Sequence, residues 1–296
     1  MKEKPFSKYQ ILANAVMIIW TLAIILPFIL LFMSSITDEN TLVANGYSFF
    51  PKKFSLASYS YIIKSGGQIL KAYGVSIGVT VVGTLLNVLL SALMAYPLSV
   101  KNLPGRNVMM FFVFFTMLFN GGIVPSYIMW TGTFHIKDTI FAQLLPNFLL
   151  SAWNVMMIRT YFTTSIPDGL YEAAEIDGAS QFTIFWKIVL PLGKPILVTM
   201  GTFAGLAYWN DWTNGLYYII MNTGLYNVQN LLNQMVQNIQ FLTQSSNSNV
   251  TAAASTIPAT GIQMAIAFVA ILPIMLIFPS FQKYYAKGIA LGAVKG

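Results

Sequence analysis

The stretch Tyr171–Pro191, YEAAEIDGASQFTIFWKIVLP, is the longest run of charged and small residues in an otherwise apolar chain, and its reading decides the fold. It falls between two apolar segments, where a loop is expected, yet its residues do not read as a loop. Pro167 suits the first turn of a helix, and Asp168 behind it sits near the positive dipole end. Leu170, Ala173, Ala174 and Asp177 then share one helical face, with Glu172 and Glu175 off it. Gly178 suits the left-handed position that ends a helix. Ser180 suits the cap of a second short helix, from Gln181 to about Leu190, which Pro191 closes. The stretch is expected to be helix, glycine turn, helix, lying outside the membrane.

Glu172-Ala173-Ala174, three residues, Gly178, nine residues, Ile188, one residue and Leu190-Pro191 match a fixed spacing. This pattern resembles the EAA loop of the permease subunits of ABC importers, which docks a short helix into a cleft on a cytoplasmic ATPase. The resemblance implies ATPase-coupling roles for Glu172, Ala173, Ala174, Asp177, Gly178, Leu190 and Pro191, within a cytoplasmic coupling loop spanning 164–191. The residue types fit the task. Small alanines permit close approach, a glutamate offers a charge-assisted contact, and a glycine sets the angle between two arms. The alternative is a solvated amphipathic hairpin that contacts nothing.

Composition agrees with a membrane setting. Of 296 residues 56% are hydrophobic and 8% charged, against about 25% charged in soluble domains. No cysteine is present, which excludes disulfides and thiolate chemistry; one histidine and nine acids leave little for a metal site or an acid–base pair. Neither a metal site nor a catalytic residue is expected, and the net charge of +7 is not read as nucleic-acid binding.

Outward from the coupling stretch, six apolar segments are expected to be transmembrane helices. The first, Ile11 to Met33, is about 34 Å as a helix and is too long for a signal-peptide core. Pro27 near its far end is a candidate kink. The others run from about Ala72 to Val100, Asn107 to Trp130 (interrupted by Asn120-Gly121-Gly122 and Pro125), Thr139 to Tyr161, Leu192 to Trp212 and Ala259 to Phe281. A polar external loop covers 213–258, and a basic tail covers 282–296. Lys2, Lys4, Lys8, Lys101, Arg106, Arg159, Lys187, Lys194, Lys283, Lys287 and Lys295 fall on one side of this layout. Lys52, Lys53, Lys64, Lys71 and Lys137 fall on the other. Eleven against five places both termini and the coupling stretch in the cytoplasm. The expected class is an all-α membrane protein of six transmembrane helices, one permease domain over 1–296.

Trp209-Asn210-Asp211-Trp212 resembles the end of the fifth span in carbohydrate permeases. The ending from Tyr284 to Gly296 resembles the tail of the second permease subunit in maltose-type systems. Asn120-Gly121-Gly122 with Pro125 and Tyr127 is similar to a subgroup that carries complex oligosaccharides such as aldouronates. The resemblance implies a type I ABC importer permease fold in a bacterial or archaeal cell membrane, bathed in lipid. It further implies a homologous second permease, an ATPase dimer that binds ATP and Mg, an extracellular substrate-binding protein and a sugar substrate. This chain itself would hold no cofactor. The tail, through Lys287, Gly288, Gly292 and Lys295, is implied to be ordered against the ATPases, although in isolation it reads as a loose terminus. Asn222 to Val250, rich in amides, is read either as the surface that meets the binding protein or as a mobile polar loop.

Polar residues recur at helical steps in two spans: Ser76, Thr80, Thr84, Asn87 and Ser91, and then Gln143, Asn147, Ser151 and Asn154. Each set would lie on one face and turn away from lipid. Amides and hydroxyls suit sugar hydroxyls, and Trp153, Tyr208 and Trp209 could stack on pyranose rings. Asn87, Asn147, Ser151, Asn154, Trp153, Tyr208 and Trp209 are therefore candidates for a substrate pathway. Hydrogen bonding between helices explains the same stripes equally simply. A secondary, ion-coupled transporter needs a charge near mid-depth, and no span has one. An ABC permease for another solute, such as amino acids, remains open. An enzyme is not supported: HExxH, GxSxG and GxxxxGK[ST] are all absent, so ATP hydrolysis is expected in separate ATPase subunits.

Overall fold

A computed structural model describes residues 8–64, 66–244 and 259–293. Among these the protein is helical, with one isolated bridge between Thr37 and Phe54. The chain divides into two compact units, Met1–Ile69 with Leu232–Pro273 and Leu70–Leu231 with Ile274–Gly296.

In the first unit α1 (Lys8–Ser35) is apolar on every side, and Pro27 lies within it. Its most apolar stretch buries nothing against the rest of the chain, as expected of a helix whose solvent is lipid or another subunit. Its end is gripped where Ser35 Oγ lies 2.8 Å from Tyr59 Oη on α3 (Ala57–Lys64). The last long helix, here α15 (Ala259–Ala293), has its first turn capped by Glu39, the first residue of α2 (Glu39–Asn45). The two carboxylate oxygens accept the backbone N–H of Thr260 and of Gly261, each at 2.9 Å. These are donors a helix start leaves unpaired, and a negative charge suits that dipole end.

In the second unit α4 (Gly66–Ser99) packs its Ala92, Ala95, Tyr96 and Leu98 against Val155, Ile158 and Phe162 of α8 (Ala152–Ser165). Glycines let α12 (Lys194–Asn210) approach α4 closely. A Cβ on Gly201 would lie 3.3 Å from Val88, and one on Gly205 would lie 3.3 Å from Thr84 Oγ1. Gly83 accepts the flat of the Tyr208 ring, which a Cβ would overlap.

α1, α4 and α15 are long and apolar enough to cross a membrane, and two bent pairs pass the same test together. The third segment is one such pair. α5 (Arg106–Leu118) meets the helix Ile123–Thr133, whose first part is α6 (Ile123–Ile128), at 110°. Asn120 Oδ1 takes the Gly122 N–H at 2.8 Å, and Gly122 has φ +85°. The fourth segment is not the single helix expected over Thr139–Tyr161. It is α7 (Phe141–Leu144), a non-helical stretch, then α8. Pro146 supplies no N–H, and Asn147 sits at φ +67°, a conformation its short amide tolerates.

The segment expected to be a polar external loop is in part helical. It holds α13 (Thr213–Tyr218) and α14 (Val228–Gln244), the latter with Leu231, Leu232 and Met235 at helical spacing among its amides. Residues 245–258 lie outside the described residues. The tail continues α15 to Ala293, so Lys287, Gly288 and Gly292 belong to a helix rather than a loose terminus; Lys295 lies outside the described residues.

Candidate functional site

The coupling stretch forms α9 (Asp168–Ile176), a glycine turn and a second helix. Gly178 has φ +75°. Its N–H reaches Glu175 O at 3.0 Å, and the Ala179 N–H reaches Ala174 O at 2.9 Å. This pair of bonds is the Schellman arrangement that satisfies the last carbonyls of a helix. Ser180 Oγ then accepts the Thr183 N–H at 3.2 Å and starts α10 (Gln181–Ile184).

One local expectation is corrected. The helix does not close at Pro191. It passes through a π turn, Phe185–Val189, into α11 (Leu190–Leu192), and then bends by 78° at Gly193 into α12. Pro191 lies just past the π turn, where the helical hydrogen bonding changes register. Along the expected face through Leu170, Ala173, Ala174 and Asp177, burial is uneven. Tyr171 and Ala174 point into the core with Ala179, Ile184, Phe185 and Val189, whereas Leu170, Ala173 and Asp177 are exposed. Burial pushes the Tyr171 phenol up to about 12, so its ring packs as a neutral group.

What remains outside is an apolar surface of small area, with Ile176 86% and Phe182 68% exposed. Leu170, Ala173, Gly178 and Trp186 are exposed too, and Glu172, Glu175 and Asp177 add charge. Such a surface is suited to an external cleft with complementary charge. It is tied to the rest of the unit from behind. Lys101 pairs with Asp168, Arg159 Nε donates to Leu98 O at 3.1 Å, and Tyr96 bonds Gln181. Sequence reasoning named Lys101 only for its charge and Gln181 only as a helix start, and did not name Tyr96, because no local pattern marks a residue whose partner lies far along the chain.

The polar candidates of the spans converge on the broken fourth segment. Tyr208 Oη donates to Leu144 O at 2.9 Å, Asn214 Nδ2 to Pro146 O at 3.1 Å, and Asn87 Nδ2 to Phe148 O at 2.6 Å. Asn154 Nδ2 donates to Asn87 Oδ1 at 2.7 Å, and Asn147 Nδ2 to Asn214 Oδ1 at 3.2 Å. Gln143 Nε2 reaches Asn230 Oδ1 at 3.3 Å, and Asn227 Nδ2 reaches Gln143 Oε1 at 3.2 Å and Asp211 O at 2.7 Å. Asp211 Oδ1 caps α13 through Thr213 and Asn214. Asn87, Asn154, Tyr208 and Trp209 are thus inside the unit. Asn147 and Trp153 are exposed, and Ser151 is half-buried. Asn214, Asn227 and Asn230, which complete the network, were missed; only the amide density of Asn222–Val250 hinted at the last two. Among the described residues no group of His, Asp or Glu side chains gathers in a way that could hold a metal ion.

Comparison with known proteins agrees with these features. Residues 6–291 match the family described as binding-protein-dependent transport system inner membrane component. The chain is 36% identical over 288 residues to the polygalacturonan/rhamnogalacturonan transport system permease protein YtcP of Bacillus subtilis, covering 97% of this chain and 98% of that one. It is also 36% identical to protein LplC of the same organism over 272 residues, covering 92% and 90%. One chain of a bacterial ABC transporter involved in import of the acidic polysaccharide alginate superposes with a TM-score of 0.79 at 26% identity, covering 96% of this chain and all of that one.

Proposed function

We propose, for a chain that belongs to the family of binding-protein-dependent transport system inner membrane components, the role of one of the two permease subunits in an ATP-driven importer of oligosaccharides. Its fold is that of an ABC importer permease, and it is a multi-pass protein of the bacterial membrane. In this reading it lines half of a translocation pathway and pairs with a homologous permease. An extracellular binding protein delivers the sugar to its outer face. Both termini and the 164–191 loop face the cytoplasm, where a dimer of ATPase subunits binds ATP and Mg. Six crossings follow if the broken third and fourth segments and the bent fifth each cross once, beside α1, α4 and α15. Sugar as the substrate class is supported by the relatives, of which YtcP carries a galacturonan name and others are arabinooligosaccharide permeases. Within the candidate pathway set, Asn147, Ser151 and Trp153 are the members that keep exposed surface for a sugar, while Asn87, Asn154, Tyr208 and Trp209 support them from behind.

The observation that carries this reading is the coupling loop: a capped helix–glycine–helix whose back is locked into the core and whose front is exposed and apolar. Gly178→Asp tests it. Nothing lies within 4 Å of a Cβ at this position, so the substitution leaves the core intact. It costs roughly 1 kcal/mol in backbone conformation and adds a charge beside Glu175 and Asp177. The expected result is normal membrane insertion with loss of the ATPase during detergent purification. Full retention of the ATPase and full uptake in that variant would reject the coupling role.

A further inference from the structure

Gly178 is the hinge of the coupling loop, and no neighbour packs against it. The angle between α9 and the helix beginning at Gln181 is therefore not set by packing at the glycine. Side chains span the hinge instead. Gln181 Nε2 donates to Glu175 Oε1 at 2.8 Å and ties the two arms together. Tyr96 Oη donates to Gln181 Oε1 at 2.6 Å and ties both arms to α4. The Tyr96 ring also stacks on Tyr171 of α9, with centroids 6.4 Å apart, and tilts against Phe185 on the other arm at 5.4 Å. One side chain of α4, itself 8% exposed, touches both arms of the loop.

The bonds have a direction. A carboxylate only accepts, so Glu175 turns the Gln181 NH2 group toward itself and leaves the amide oxygen for Tyr96, which must donate. Reversing the amide would set two oxygens against each other. The chain of bonds ends on a charge, and each bond polarises the next. The ion pair at the other end of α9, Lys101 with Asp168, is more than half exposed on both sides and contributes little by comparison.

We propose that Tyr96 is a positioning residue: through Gln181 and Glu175 it fixes the coupling loop to the cytoplasmic end of α4, so that movement of the ATPase is passed to the span that carries Asn87. The proposal rests on the reading of the loop as an ATPase contact. Without the bracket, the arms are held to α4 by ring and core packing alone, and part of the movement is absorbed at the hinge.

The test uses the purified complex of this chain with its sister permease and ATPase, either free of nucleotide or held with ATP, Mg and vanadate. Hydrogen exchange over Met94–Val100 is compared between the two states. In the wild type the two states differ. Tyr96→Phe keeps both ring contacts and removes the donor. It should retain the ATPase and its basal hydrolysis, while the nucleotide-dependent difference at Met94–Val100 shrinks roughly three- to tenfold, the size of one lost hydrogen bond. Gln181→Met should do the same, and the double variant should be no worse than either alone, because both act through one chain of bonds. A wild type with no difference between states, a Tyr96→Phe difference equal to the wild type, or single losses that multiply in the double variant would each overturn the proposal. Exchange raised equally in both states would mark Tyr96 as a packing residue and overturn it too. Failure of the coupling reading is seen separately, as full ATPase retention by Gly178→Asp.

Discussion

Amide side chains in the second unit stand where the backbone has been left open. The break between α7 and α8 exposes the carbonyls of Leu144, Pro146 and Phe148, and these are taken by Tyr208, Asn214 and Asn87. Irregular backbone at membrane depth is tolerated only when protein satisfies it in this way. Asn154 and Asn147 therefore have different tasks although the sequence spaces them alike. Asn154 is 5% exposed and bonds Asn87, so Asn154→Leu leaves the Asn87 oxygen unpaired and costs about 1–3 kcal/mol. The expected outcome is a lower melting temperature and yield of the complex, with uptake falling only in proportion. Asn147 is exposed at φ +67°, so Asn147→Gly keeps the backbone and deletes the amide. The variant also removes the donor to Asn214 Oδ1, so yield falls somewhat; if Asn147 faces the sugar, uptake falls further than yield. Measuring yield and uptake together on both variants separates these roles, and equal uptake per assembled complex in Asn147→Gly would remove that residue from the pathway.

Among the elements, the short turn at Asp138 joins two segments far apart in the chain. Asp138 Oδ1 accepts the N–H groups of Ile220, Met221 and Asn222 at 2.7, 2.8 and 3.2 Å. Desolvation works against the charge, but these three donors, with Lys137 nearby, outweigh it and hold the carboxyl below its ordinary value. A lowered folded value means that the stabilisation is present above the unfolded value of about 3.9 and is lost as pH falls through the lower folded one. Protection of the three amides from hydrogen exchange, corrected for intrinsic rates, should then be flat from pH 5 to 8 and fall only below about 4. Asp138→Asn keeps a residue that tolerates φ +56° and removes the charge; protection at pH 7 should drop about two- to tenfold. Unchanged protection in this variant would assign the tie to geometry alone. The elements also show what could be read in advance. Long apolar helices and the glycine turn at Gly178 were legible because each rests on local spacing. The break in the fourth segment was not, since Pro146 and Asn147 also fit a kinked helix and the residues that stabilise the break, Asn214 and Asn87, lie on other elements. α14 was hidden because its apolar residues are diluted by amides, of which Asn230 is buried while Gln237 and Asn238 stay exposed.

For the molecule as a whole, the open question is orientation, and composition makes it unusually direct to test. The chain has no cysteine, so single cysteines report without background. The excess of Lys and Arg at the termini, the 101–106 turn and the coupling region argues that these face the cytoplasm. The relevant counts are taken near the ends of apolar segments, where the charge bias acts, and the break in the fourth segment moves none of these charges. Lys53, His135 and Met221 are exposed on segments assigned to the outside, and Asn102 and Thr164 are exposed on segments assigned to the inside. Each is replaced singly by cysteine, and intact cells are treated with a membrane-impermeant maleimide. Lys53→Cys, His135→Cys and Met221→Cys should react in intact cells. Asn102→Cys and Thr164→Cys should react only after the membrane is opened. The pair His135 and Thr164 matters most, because α7, the break and α8 lie between them and must together make one crossing. If both react from outside, the fourth segment is re-entrant, the coupling loop cannot meet a cytoplasmic ATPase, and the importer reading fails at its base. If His135 reacts from outside and Thr164 only from inside, a segment with no single helix long enough to span crosses the membrane, its open backbone satisfied by the amides of its neighbours.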